Sequence, residues 1–468
     1  MDELVLKYIV IFVVVALVAY VVIKNWETLK NISKIEDLRK RLLTTILFIA
    51  VYRLGSHILL PGVDADMLSN LQRQTSSGLL SLLDMFSGGA FSNASIFALG
   101  IMPYISASIV LQLLTIAVPS FQKLQKEGES GRMKINQYTR YLTLVILLVQ
   151  GPSYLLNLRH QVGIDVIPVE WTWFWMTSTV ILAAGSSFIL WLGERITDKG
   201  VGNGISFIIL VGIIARFPGA LTQEVISCLF DKGGGGLIKF LLEFVFFLLV
   251  IGASVLLVQG VRQIPIQYAK QMIGTTKRAF GGARQYLPLK VNAANVMPII
   301  FAQAIMFIPL VVAPFLSTDD NSILSTLLNP DHWPYNLLFA VLIILFTYFY
   351  TAITINPTQM AEDLKRNQGF IPGIKAGTDT ADYIDDIMSK LTLPGSVFLA
   401  LIAILPAVAR FFDVSQQFAQ FFGGTSLLIM VGVVLDTLQQ IEGHLLSHNY
   451  DGLLKSGRIR GRSGYEAY

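Results

Sequence analysis

Charge is what this sequence has least of. Only 14% of its 468 residues are Asp, Glu, Lys or Arg, against about 25% in an ordinary soluble domain. With 53% hydrophobic residues and a mean hydropathy of +0.61, that scarcity excludes a soluble globular chain and implies an integral membrane protein. Cysteine is nearly absent too. Cys228 stands alone, which excludes an internal disulfide and any multi-cysteine metal site. The five histidines show no H-E-x-x-H or similar spacing, so no metal-ligand pattern is visible. There is no G-x-x-x-x-G-K-[ST] and no dinucleotide fingerprint, and the glycines of GVGNG (200–204) serve a turn. Catalytic residues, metal ligands and cofactors are therefore expected to be none, and energy for any work must come from a partner.

What is present is a series of apolar runs, near 4–23, 42–60, 94–118, 138–158, 173–193, 204–217, 237–259, 296–316, 335–356, 393–411 and 418–441. About 20 helical residues cross a hydrocarbon layer, so these eleven runs predict an all-α polytopic protein in which the sixth span is short. Most of the 35 basic residues fall into alternate connecting segments, including six each in 24–41 and 260–290, whereas 317–335 holds Asp319, Asp320 and Asp331 with no Lys or Arg. Basic residues accumulate on the cytosolic side. The alternation places the C-terminus in the cytosol and the N-terminus outside.

The first run, Leu4–Ile23, follows Met1-Asp2-Glu3 rather than a basic region, and no small-residue cleavage site precedes Trp26. It is a poor signal peptide and reads as a membrane anchor without a polar face, expected at the periphery. Between the second and third long runs, Gly78–Phe86 is too short to span and is expected to be re-entrant or to rest in a cavity. Gly88 and Gly89 then break the chain. In the segment that follows, from about Ala94 to Val118, Ile101, Ile105, Ser108 and Gln112 share one helical face. Such a face suits either a helix lining a pathway or one packing on neighbours through small residues.

Seven stretches resolve that choice by resemblance: IEDLRKR, FALGIMPYISASI, KEGESGR, LGERITDKGVGNGIS, YAK with YLPLKVNAANVMP, INPTQMAEDLKRNQGFIPGIKAG, and FGGTSLLIMVGVVLD. In this order they closely resemble the SecY family of protein-conducting channel subunits, from about Thr28 to Ser456. The resemblance implies a ten-helix channel of two pseudo-symmetric five-helix halves, here with an extra N-terminal helix. The domains would be the extra helix at 1–25, an N-terminal half at 26–230, a C-terminal half at 231–445 and a basic tail at 446–468.

A channel for unfolded chains of any sequence needs a narrow point of flexible aliphatic side chains that dewets when empty. By resemblance that ring is Ile101, Ile105, Ile209, Ile213, Ile300 and Ile429. The segment 78–91 resembles the plug, with Leu79, Leu80, Leu83, Asp84, Met85, Phe86, Gly88 and Gly89, and Asp84 is expected to sit in a water-filled funnel. A lateral gate, through which signal helices reach lipid, would lie along Ser106, Ile109, Gln112, Gln303, Met306, Thr351 and Asn356. The acid-free loop 260–290 suits an anionic partner. With the loop 357–392 it would supply motor and ribosome contacts at Arg262, Lys270, Lys277, Arg278, Arg284, Lys365, Arg366 and Lys375, the last where the family usually has Arg.

Implied partners are the small membrane subunits SecE and SecG, the motor ATPase SecA, the ribosome through its RNA, signal peptides with their nascent chains, and lipid. The implied location is the bacterial inner membrane. A secondary transporter with a broken helix near residue 89 is the competing reading, and a poreless insertase or scaffold a third. Against the transporter, the charges within apolar runs, Arg53, Glu194, Arg216, Glu243 and Asp436, fall near span ends.

Overall fold

The computed structural model describes residues 35–63, 84–162, 171–228, 236–268, 284–312 and 332–455. The leading run 4–23 and Leu79, Leu80, Leu83, Lys270, Lys277 and Arg278 lie outside the described residues. The helices are α1 (Glu36–Gly55), α2 (Met102–Ala117), α3 (Pro119–Lys126), α4 (Glu129–Val162), α5 (Trp171–Lys199), α6 (Gly204–Ile226) and α7 (Gly236–Gln259). After strands β1 (Val261–Tyr268) and β2 (Arg284–Lys290) come α8 (Met297–Val312), α9 (Trp333–Thr354), α10 (Pro357–Arg366), strand β3 (Gly369–Phe370), α11 (Thr378–Phe411), α12 (Gln416–Ala419) and α13 (Gly424–Lys455). Among the described residues seven helices are long and apolar enough to cross a membrane, or eight if α2 and α3 count as one bent span. The chain is thus a multi-pass membrane protein.

Two expected boundaries move. The run 94–118 becomes helix only from Met102, because Ala94 and Gly100 take positive φ (43° and 54°) and hold residues 87–101 in turns; Pro103 then opens the helix, its missing N–H costing nothing there. The run expected to end at Phe217 continues to Ile226 with Pro218 inside α6. Proline removes one backbone bond, a loss that membrane helices tolerate when neighbouring groups compensate.

The chain forms two compact units, one of Met1–Thr222 with Val433–Tyr468 and one of Gln223–Gly432. In the first, α2 packs along α4, α4 along α5 and α5 along α1. The approach is close where glycine permits it: a Cβ on Gly185 of α5 would stand 2.4 Å from the Ile96 carbonyl oxygen. Gly185→Ala is expected to cost about 1–3 kcal/mol through overpacking, read as a lowered thermal midpoint in detergent; an unchanged midpoint would contradict this packing. Side chains facing outward, such as Leu148, Val149, Leu248 and Leu256, are large, apolar and exposed, which is the pattern lipid demands.

The second unit packs α9 against both α8 and α11, and carries a feature absent from the expectation of helices and loops. β1 pairs antiparallel with β2, Val261 opposite Lys290 through Gln267 opposite Arg284, and β3 adds to the other edge of β1. Ile264, Ile266 and Leu289 point from this sheet into a core with Leu364, Ile371, Ile384 and Met388. The described parts of the segments 260–290 and 357–392 therefore build one small subdomain.

Candidate functional site: the tethered segment and its helix

Residues 84–101 are held from four sides. Tyr52 of α1 donates its hydroxyl to the Ser87 carbonyl at 3.1 Å, and Tyr154 of α4 donates to the Phe91 carbonyl at 2.9 Å. The Phe91 and Tyr154 rings also meet edge-on at 4.8 Å. Residues 58–60 clamp the far end through an isolated antiparallel bridge, with Leu60 N–H to Ala94 O and Ile96 N–H to Ile58 O both at 2.9 Å. Around these bonds Leu60, Phe91, Ala94, Ala98, Leu155, Leu158, Phe174 and Leu182 form a buried core.

The fourth side is α6. A Cβ on Gly88, whose φ is +64°, would lie 2.8 Å from the Gly212 Cα, and one on Gly212 would lie 2.9 Å from the Phe86 carbonyl oxygen. One turn on, Arg216 forms an ion pair with the Asp84 carboxylate and donates to Ser92 Oγ at 2.8 Å. The other carboxylate oxygen of Asp84 accepts the Ser92 N–H at 2.8 Å. Arg53 of α1 donates to the Gly88 carbonyl at 3.0 Å. This corrects the expectation for Asp84: it is 2% exposed, stabilised by a cation and an N–H rather than by a water-filled funnel. The pairing joins positions 132 residues apart, which no local pattern discloses.

Of the ring residues, Ile209 and Ile213 lie on α6 and are buried, as is Ile101 at the start of α2, while Ile105 one turn further is half-buried. In the second unit Ile300 is half-buried on α8 and Ile429 is buried on α13. Of the gate residues in the first unit, Ile109 is buried, Ser106 and Gln112 are half-buried, and the Gln112 amide donates to Ser108 Oγ at 3.5 Å. Gln303, Met306 and Thr351 are buried on the packed pair α8 and α9, beside the Phe301–Phe346 ring contact. Asn356 is exposed at the start of α10, where its side-chain oxygen accepts the Gln359 N–H at 3.3 Å. It is a helix cap, and the signal was present in the sequence: Asn, then Pro at the first helical position, then Gln three residues on. Asn356→Ala is expected to cost about 1 kcal/mol, measured by thermal melting; no loss would deny the cap.

The contact residues Arg262, Lys365, Arg366 and Lys375 are exposed around the small sheet, and Arg284 opens β2. Two other charges in the spans have partners close by: Glu194 accepts from Arg140 at 2.7 Å, and Glu243 lies 3.8 Å from Lys239. Glu224, Cys228 and Glu243 form the one cluster of metal-ligand type among the described residues, their ligand atoms within 4.8 Å of one another. Glu224 accepts the Ser415 N–H at 2.8 Å, and Lys239 supplies a cation beside Glu243, so the cluster has protein partners of its own.

The profile of the SecY family matches residues 95–438. Curated proteins named Protein translocase subunit SecY from Streptomyces galbus and Streptomyces coelicolor are 43% and 42% identical, covering 90% of this chain and 97% and 98% of theirs. Two solved structures, one titled as a protein conducting channel and one as the idle yeast Ssh1 complex bound to the yeast 80S ribosome, are each 16% identical. They share the fold at TM-scores of 0.56 and 0.54, over 91% and 92% of this chain and 95% and 94% of theirs. With its profile match covering most of the sequence and relatives above 40% identity along nearly its full length, the chain belongs to the SecY family.

Proposed function

We propose that the protein is the central subunit of a protein translocation channel, which passes unfolded secretory chains across the membrane and releases apolar signal helices sideways into lipid. The observation that carries this is the alignment with translocase SecY subunits along 90% of the chain. In this reading the full architecture is ten channel helices in two five-helix halves, 26–230 and 231–445, with an additional helix at 1–25 and a basic cytosolic tail at 446–468. The membrane is the bacterial inner membrane. Supporting the reading, polar groups near the first-unit pathway are committed to holding residues 84–101, and the ring positions on α6 are aliphatic and buried.

The ring of Ile101, Ile105, Ile209, Ile213, Ile300 and Ile429 is the seal. Branched aliphatic side chains give a moving polypeptide no directional bond to break and exclude water when nothing is passing. The segment beginning at Leu79, Leu80 and Leu83 and continuing through Asp84, Met85, Phe86, Gly88 and Gly89 is the plug. The gate runs along Ser106, Ile109 and Gln112, then Gln303 and Met306, then Thr351 and Asn356. Interhelical hydrogen bonds within membranes are worth only about 0.6 kcal/mol on average, so a mildly polar seam parts at modest cost. Gln112→Leu with Gln303→Leu is expected to raise the signal hydrophobicity needed for export, assayed with a graded series of signal sequences; an unaltered requirement would reject the polar seam.

Exposed cations on the sheet subdomain, together with Lys270, Lys277 and Arg278 between β1 and β2 in the sequence, are the contacts for the SecA motor and the ribosome in this reading. Phosphate neutralisation by Lys and Arg gives RNA contacts their strength and their salt dependence. SecE and SecG complete the membrane assembly. Copurification from native membrane, identifying the small subunits and the cytosolic ATPase or ribosome that accompany the chain, tests these partners, and isolation without any of them would contradict the assignment.

A further inference from the structure

The tether between residues 84–101 and α6 has a property that the seal alone does not need. Ile209, Gly212, Ile213 and Arg216 follow one another at helical spacing on a single face of α6. Two of them are ring positions and the other two grip the segment, Gly212 through backbone approach to Phe86 and Gly88, Arg216 through Asp84 and Ser92. We propose that Arg216 is a positioning residue that couples the ring to the plug: its guanidinium latches the segment to the same helix face that closes around the passing chain.

The inference rests on the channel reading and adds a specific residue to it. Asp84 is nearly sealed from solvent, its side chain 3% exposed against 31% for Arg216, so the carboxylate depends on this partner while the guanidinium retains access to water. A planar guanidinium can hold a carboxylate and a hydroxyl at once, which an ammonium does less well. Arg53 adds a second cation on the Gly88 carbonyl but makes no ion pair with Asp84 among those present. When a polypeptide parts the ring it displaces this face of α6, and a displacement of little more than hydrogen-bond length takes Arg216 out of reach of Ser92 and Asp84 together. The segment is then released at the moment the pore widens, and it is recaptured when α6 returns.

The test is a double-mutant cycle on the channel purified with its native subunits and reconstituted in planar bilayers, reading resting ion conductance and the conductance evoked by a synthetic signal peptide. Arg216→Gln and Asp84→Asn are each expected to raise resting conductance by about tenfold, because each leaves the other partner uncompensated. The double variant D84N/R216Q is expected to leak no more than either single one. Ser92→Ala, a milder change at the second acceptor, is expected to raise the leak several-fold in the wild-type background and not at all in R216Q, which serves if the charge variants assemble poorly. Resting conductance at the wild-type level in S92A and the charge variants, or leaks that multiply in the double variant, would overturn the latch. Wild-type channels that conduct nothing even with signal peptide present would overturn the channel reading, and the latch with it.

Discussion

Gly88→Val is expected to free residues 84–101 from α6. Position 88 has φ +64°, which a side chain with a Cβ occupies at a cost of about 1–2 kcal/mol. The added Cβ would also meet the Gly212 Cα at 2.8 Å. That neighbour is backbone, fixed in turn by the approach of Gly212 to the Phe86 carbonyl, so relief requires the two elements to separate. Overpacking of this kind adds about 1–3 kcal/mol. Displacement of the segment would expose position 87, which is 2% accessible in the wild type. Maleimide labelling of Ser87→Cys is therefore expected to be slow with Gly88 and fast with valine there; equal labelling rates would show that the close approach does not hold the segment.

The second large effect is expected at the proposed ring. Ile105→Ser together with Ile300→Ser should let water occupy the narrow point and raise conductance several-fold in the absence of any polypeptide, since an aliphatic constriction seals by dewetting. Both positions are half-buried, so the hydroxyls should be accommodated without collapse of the helices. Leu248→Ser on the outer face of α7, where the side chain is 53% exposed, should leave conductance unchanged. A leak equal in the two cases would remove the special status of the isoleucines.

Apolar run length carried the all-helical, multi-pass character of the chain, because a membrane imposes that condition along the sequence itself. The features that sequence reading missed depend on distant contacts or on short patterns. β1 offers only Ile264 and Ile266 as an alternating pair, interrupted by Pro265, and its partners stand further along the sequence, at 284–290 and at 369–370. The sixth apolar run was expected to end at Phe217, yet α6 continues through Pro218 to Ile226. Arg53 and Arg216 were legible as charges within apolar runs, but Arg216, expected near a span end, stands near the middle of α6 because that helix continues to Ile226; that both grip the segment around Gly88 follows only from folding α1 and α6 against it. Asn356 carried a visible capping pattern and a gate assignment by resemblance; the cap is the role its hydrogen bond displays.

The claim beneath all of this is that isoleucines contributed by separate helices surround a polypeptide in transit. Its most direct test is site-specific cross-linking of an arrested secretory chain to cysteines introduced by Ile105→Cys and Ile300→Cys in a Cys228→Ser background, with Leu248→Cys as the lipid-facing control. Adducts at 105 and 300 and none at 248 are the predicted result. Adducts at neither ring position, or at 248 as readily as at both, would contradict the account.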